Sequence, residues 1–183
     1  FEDDQTGVMS LYFASNRLGG PGGDDIYIST LLPDETFGAP VLVGELSTPS
    51  TDIQPSIRHD GLEMFLASNR PGSLGGLDLW VSTRASTSDI WSTPANLGPV
   101  VNTAAASEAS PGLSFDATEL YFQSSAERPG VGSQDFWRTT RTKLQAPDSK
   151  LRLWHLDGAD HETAARKNIS EKGWNPLPRH EDH

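Results

Sequence analysis

Cysteine is absent from the 183 residues. That excludes a disulfide framework and a thiolate metal site, and it fits cytoplasm and bacterial envelope equally. No apolar run approaches the length of a membrane-spanning helix, and no secretory leader opens the sequence. It begins on Phe1 rather than on an initiator methionine, which reads as a processed or truncated chain. Positive charge is scarce: 14 Lys and Arg stand against 25 Asp and Glu, a net charge of −11. This balance argues against a nucleic-acid partner, whose phosphates need cations. It favours solubility, and a cationic partner or divalent ion, although a merely acidic surface is the simpler account.

What is present is a repeat. LYFASNR at residues 11–17 is followed by a glycine-rich stretch and by DIYIST at 25–30. MFLASNR at 64–70 leads through RPGSLGG to DLWVST at 78–83, and LYFQSSA at 120–126 leads to DFWRTT at 135–140. Leu11, Phe13 and Ser15 alternate with Tyr12 and Ala14, and Ile26 and Ile28 alternate with Tyr27 and Ser29, which predicts strands. Gly19, Gly20, Pro21, Gly22 and Gly23 belong to no element interior and predict a loop. Arg128, Pro129, Gly130 and Gly132 keep that loop only in part.

A second block recurs between these pairs. Phe37-Gly38-Ala39-Pro40 matches Trp91-Ser92-Thr93-Pro94, and Asp52-Ile53-Gln54-Pro55-Ser56 matches Glu108-Ala109-Ser110-Pro111-Gly112. Each acidic segment runs to a turn, His59-Asp60-Gly61 or Phe115-Asp116-Ala117. A unit therefore holds four strands: the acidic-x-x-Pro strand, the LYFASNR strand, the DIYIST strand, and an outer strand after Phe37 or Trp91. The starts Leu11, Met64 and Leu120 lie 53 and 56 positions apart. Short strands at that period predict an all-β chain of β-propeller blades, each of four antiparallel strands.

These motifs resemble the TolB-type, WD-repeat-like propeller repeat of bacterial envelope proteins. The resemblance implies a periplasmic or cell-envelope setting and specifies fold far better than function. It covers residues 1–142 as a partial propeller, with blades at about 1–45, 46–100 and 101–142. Placing Gly7 against Asp60 and Asp116 puts Phe1 inside the first, innermost strand. The third blade lacks an outer strand. Residues 143–183 form a non-repeat C-terminal tail, with a strand expected at 150–156 and a short helix at 160–168. Such propellers commonly have six blades. About three per chain then predict a two-fold homodimer that closes one six-bladed ring.

The start of the inner strand and the loop after the second strand share one face of a blade. Asp52 and Glu108 are thereby expected at the channel mouth, beside Asn16, Arg17, Asn69, Arg70 and Arg128. Doubled by a dimer, the two carboxylates would suit a hard divalent cation, Ca²⁺ first. The plainer alternative is that each acid holds its own blade through an arginine or backbone N–H groups.

The glycine loops precede a strand rather than a helix, so they are turns and not phosphate cradles. Asp25, Asp78 and Asp135 are expected to bond loop backbone. Tyr27, Trp80 and Trp137, and likewise Trp91, are expected in the core between blades. His59 beside Asp60 hints at a general base, but no nucleophile spacing accompanies it. His155, His161, His180 and His183 lie in the tail, where the closing HEDH could chelate a transition metal. Asn168-Ile169-Ser170 matches a glycosylation sequon of low specificity.

Three functions follow. The first is a non-catalytic scaffold that contacts an envelope protein or wall component. The second is a metal-dependent hydrolase, like phosphotriesterases and lactonases, using Asp52 and Glu108. The third is a recombined propeller fragment without selected function.

Overall fold

The computed structural model describes residues 1–104, 106–125 and 133–141. Arg128, the tail from residue 143, its expected strand and helix, and its histidines lie outside the described residues. The described part is all-β, apart from a single 3-10 turn at Gly44–Leu46, and forms three antiparallel sheets. The first holds β1 (Ser10–Ser15), β2 (Asp25–Thr30) and β3 (Val41–Leu42). The second holds β4 (Asp52–Ile57), β5 (Glu63–Ser68), β6 (Asp78–Thr83) and β7 (Ala95–Asn96) in that order. The third holds β8 (Glu108–Leu113), β9 (Glu119–Ser125) and β10 (Gln134–Thr140).

Each repeated motif is a strand, and equivalent motifs pair alike. Ser15 faces Asp25 as Ser68 faces Asp78, and Leu42 lies opposite Tyr27 as Asn96 lies opposite Trp80. Among the described residues the first sheet has no counterpart of β4 or β8. Phe1 exchanges backbone hydrogen bonds with Ser10, in the place that Arg58 takes opposite Glu63. The sequence spacing expects Phe1 inside the innermost strand. The pairing puts it instead at the place of Arg58, one residue past the end of β4 in the second sheet, because the turn at residues 3–7 is longer than the His59-Asp60-Gly61 turn.

The alternation of side chains decides how the sheets stack. Tyr12, Ala14, Ile26 and Ile28 of the first sheet pack on Met64, Leu66 and Trp80 of the second. The opposite face of the second sheet carries Phe65, Ala67 and Leu79 against Leu120, Phe122 and Trp137 of the third. β5 is therefore buried on both faces along its whole length, which explains its near-continuous apolar run. Each large side chain so buried contributes roughly 1.5–3 kcal/mol. Trp91 closes the first core, with Tyr12 edge-on at 6.3 Å and the Arg84 guanidinium over its ring at 4.3 Å.

Polar links cross the same junctions. Glu63 is buried and receives Arg58 of its own sheet at 3.0 Å and Arg141, beyond β10, at 2.6 Å. Gln54 and Ser110 both have positive φ, just before Pro55 and Pro111. Both sit at bulges where the inner-strand ladder skips a step. The bulges also meet, since the Ser110 N–H donates to the Gln54 carboxamide oxygen at 2.8 Å.

Candidate functional site

The end of each LYFASNR strand carries a serine, then Asn-Arg in the first two units. In the second sheet this end clasps the acidic start of β4. Asp52 is fully buried. One of its oxygens accepts the Ser68 hydroxyl at 2.5 Å and the Arg70 guanidinium at 2.6 Å. The other accepts the Thr48 N–H at 2.6 Å and the Thr48 hydroxyl at 2.7 Å. Ser68 in turn accepts the N–H and the Nε–H of Arg70, fixing the guanidinium in place. Asn69 binds the strand entrance by accepting the Thr51 N–H at 2.9 Å. Arg70 also donates to the Leu46 carbonyl at 2.8 Å, tying the clasp to the first unit, and lies over the Trp80 ring.

The third sheet repeats the clasp with a longer acid. Glu108 is fully buried and accepts the Ser124 hydroxyl at 2.8 Å. Thr103 supplies its N–H at 3.0 Å and its hydroxyl at 2.9 Å. The threonine stands five residues before Glu108 but four before Asp52, so the extra methylene of glutamate spans the extra residue of loop. Ser125 takes the role of Asn69 by accepting the Ser107 N–H at 2.9 Å.

The first sheet presents the same clasp open. Ser15 accepts the N–H of Arg17 at 3.3 Å and its Nε–H at 3.1 Å, as Ser68 does for Arg70. The Arg17 guanidinium lies 5.0 Å from the Phe13 centroid and 4.8 Å from that of Tyr27, so two rings hold it. Asn16 and Arg17 are exposed, whereas Arg70 is buried. Among the described residues no carboxylate meets Ser15 or Arg17, and no N–H meets the Asn16 carboxamide. The sequence expectation grouped Asn16, Arg17, Asn69 and Arg70 as equals at a channel mouth. The structure separates them: the second pair is engaged within the chain, and the first faces solvent.

Asp52 and Glu108 are held by hydrogen bonds from their own sheets and from the loops that precede them. Each has both oxygens engaged, and among the described residues no group of three or more histidine or acidic side chains could hold a metal ion. Asp25 accepts the Gly22 N–H at 3.2 Å, and Asp78 accepts those of Leu74 and Gly75 at 2.7 and 3.2 Å, the loop-bonding role expected of both. Asp78 also receives the Asn96 amide at 2.7 Å, whereas in the first sheet Leu42 holds the repeat position of Asn96, and among the described residues one oxygen of buried Asp25 has no donor.

His59 stacks on exposed Phe115 at 4.6 Å. Its neighbour Asp60 bonds Arg58 at 2.6 Å, so no His-Asp dyad forms. Burial pushes the Asp60 carboxyl up, but the Arg58 side chain and the Leu62 N–H outweigh it and hold it below its ordinary value.

Sequence reading missed the partners that complete these clasps. Ser47 brackets the N–H and carbonyl of Ile26, and Asn102 does the same for Leu79. The signal was present: a Ser-Thr or Asn-Thr pair recurs ahead of each acidic strand, at Ser47-Thr48 and Asn102-Thr103. No family model matches the chain, and no curated protein matches it.

Proposed function

We propose that the chain is a non-catalytic binding and scaffold module of TolB-like propeller blades, which associates as a homodimer to complete a six-bladed ring. The observation that carries this reading is the pair of outward sheet faces. Tyr121 and Phe136 of the third sheet are 43% and 69% exposed, yet they hold the repeat positions of Phe65 and Leu79, which are fully buried. Leu11 of the first sheet is 46% exposed and holds the position of buried Met64. These faces are the two halves of the contact that the sheets already make twice within the chain. Stacking the third sheet of one copy on the first of another repeats that contact. Doing so twice around a two-fold axis leaves neither face bare.

Analytical ultracentrifugation tests the proposal. A dimer is expected at micromolar concentration, and a monomer there would sink it. The envelope setting rests on the resemblance alone and is tested by fractionating cells that make the parent protein. A hydrolase holding Ca²⁺ through Asp52 and Glu108 has less support, because their oxygens already carry structural hydrogen bonds.

A further inference from the structure

The first two glycine loops differ in how they treat the aspartate at their end. Both oxygens of Asp78 are supplied. One accepts the Gly75 N–H, and the other accepts the Leu74 N–H and the Asn96 amide. Asp25 holds the same repeat position and is 1% exposed, yet both donors to its second oxygen are missing. Pro21 stands at the place of Leu74 and has no N–H. Leu42 stands at the place of Asn96. Among the described residues Oδ1 of Asp25 has no donor. A third donor is missing close by. The Gly76 N–H donates to the Ala106 carbonyl at 2.9 Å, and among the described residues Gly23 makes no such bond to Ser50.

Oxygens gather where those donors are lacking. A Cβ on Gly22 would fall at a point that three of them surround: Oδ1 of Asp25 at 3.3 Å, and the carbonyl oxygens of Thr48 and Ser50 nearer still. A buried carboxylate oxygen beside two carbonyl dipoles, with no hydrogen donor, is a place for positive charge. We propose that Asp25, Thr48 and Ser50 hold a small monovalent metal cation, for which Na⁺ is the probe. The ion pins the loop at residues 19–25 to the loop entering β4. Oxygen-only ligands suit a hard ion. One carboxylate balances one charge, and among the described residues no group of three or more histidine or acidic side chains gathers for a divalent ion. All three residues belong to one copy, so the site does not depend on how the chain associates.

Thermal unfolding of the full chain tests this, in about 0.3 M sodium chloride and in choline chloride at the same concentration, which screens charge equally. An ion that binds only the folded state raises the midpoint. A rise of about 3 °C or more is expected in sodium, at one protein concentration. Two variants return to Asp25 the donors of the second loop: Leu42→Asn gives an amide and Pro21→Leu a backbone N–H. Each is expected to shrink the sodium increment, and the pair to abolish it. Either variant reads the site alone, so the failure of one to fold leaves the test standing. Equal midpoints in the two salts overturn the proposal, since water or a proton then satisfies the oxygen. So does an increment that survives in the double variant, which marks a general salt effect. A midpoint that falls with chelator in the unaltered chain but not in the double variant also overturns it, by assigning these oxygens to a divalent ion.

Discussion

At the scale of single residues, the energetics turn on acids removed from water. Asp52 is fully buried with Arg70 at 2.6 Å, and removing only the acid leaves a buried guanidinium uncompensated. Asp52→Ala is expected to cost about 3–5 kcal/mol in urea unfolding. If hydrogen bonds rather than a metal satisfy these carboxylates, a chelator leaves the unfolding midpoint where it was. A fall in that midpoint would favour a divalent ion. Asp60 behaves differently, because its carboxyl is held below the ordinary 3.8. A depressed folded-state pKa contributes stability that is full above the unfolded value and is lost as pH falls through the folded one. Stability is therefore expected to drop as pH falls below about 4, and Asp60→Asn is expected to flatten part of that drop. Asp25 lacks the amide that Asn96 gives Asp78. Leu42→Asn copies that amide into the first sheet and is expected to add about 1 kcal/mol.

At the scale of elements, the glycine loops act by close approach. A Cβ on Gly22 would overlap the carbonyl oxygens of Thr48 and Ser50. A Cβ on Gly75 would overlap those of Thr103 and Ala106. Each glycine lets the loop entering the next sheet's acidic strand cross directly above it. The crossing is sealed by Asp52 N–H donating to Asp24 at 2.9 Å, and by Glu108 N–H donating to Leu77 at 2.7 Å. Gly75→Ala is expected to destabilise by about 1–3 kcal/mol, since backbone has to move. Gly23→Ala, with open space around its Cβ, is expected to stay within about 0.5 kcal/mol. Turn chemistry was legible from Gly and Pro content. That the glycines serve a neighbouring sheet was not, because the carbonyls they admit lie 25 or more positions along the chain.

At the scale of the whole molecule, the same contact appears twice among the described residues and leaves two partly exposed sheet faces. Phe136→Lys places a charge where Leu79 is buried in the second sheet. In sedimentation it is expected to weaken a dimer about tenfold or more while leaving the core of the second sheet intact. Arg141 shows how far the stacking is specified by polar groups as well. It joins Glu63, 78 positions earlier, with two hydrogen bonds at 2.7 and 2.6 Å. The equivalent Arg84 finds Ser10 at the Glu63 position of the first sheet and lies over Trp91 instead.

The sequence by itself determined the strands, their order and the unit they repeat in. Those follow from local alternation and from turn residues, and each recurs at a similar spacing. It also brought forward the right side chains, Asp52, Glu108 and the Asn-Arg pairs, because recurrence marks them. Only the tertiary structure decided which of those side chains are already taken. Asn69 and Arg70 are engaged because β4 lies beside them, while among the described residues no strand lies beside Asn16 and Arg17. Two identical motifs differ only in whether a neighbour lies alongside, and adjacency between strands is a property of the folded sheet.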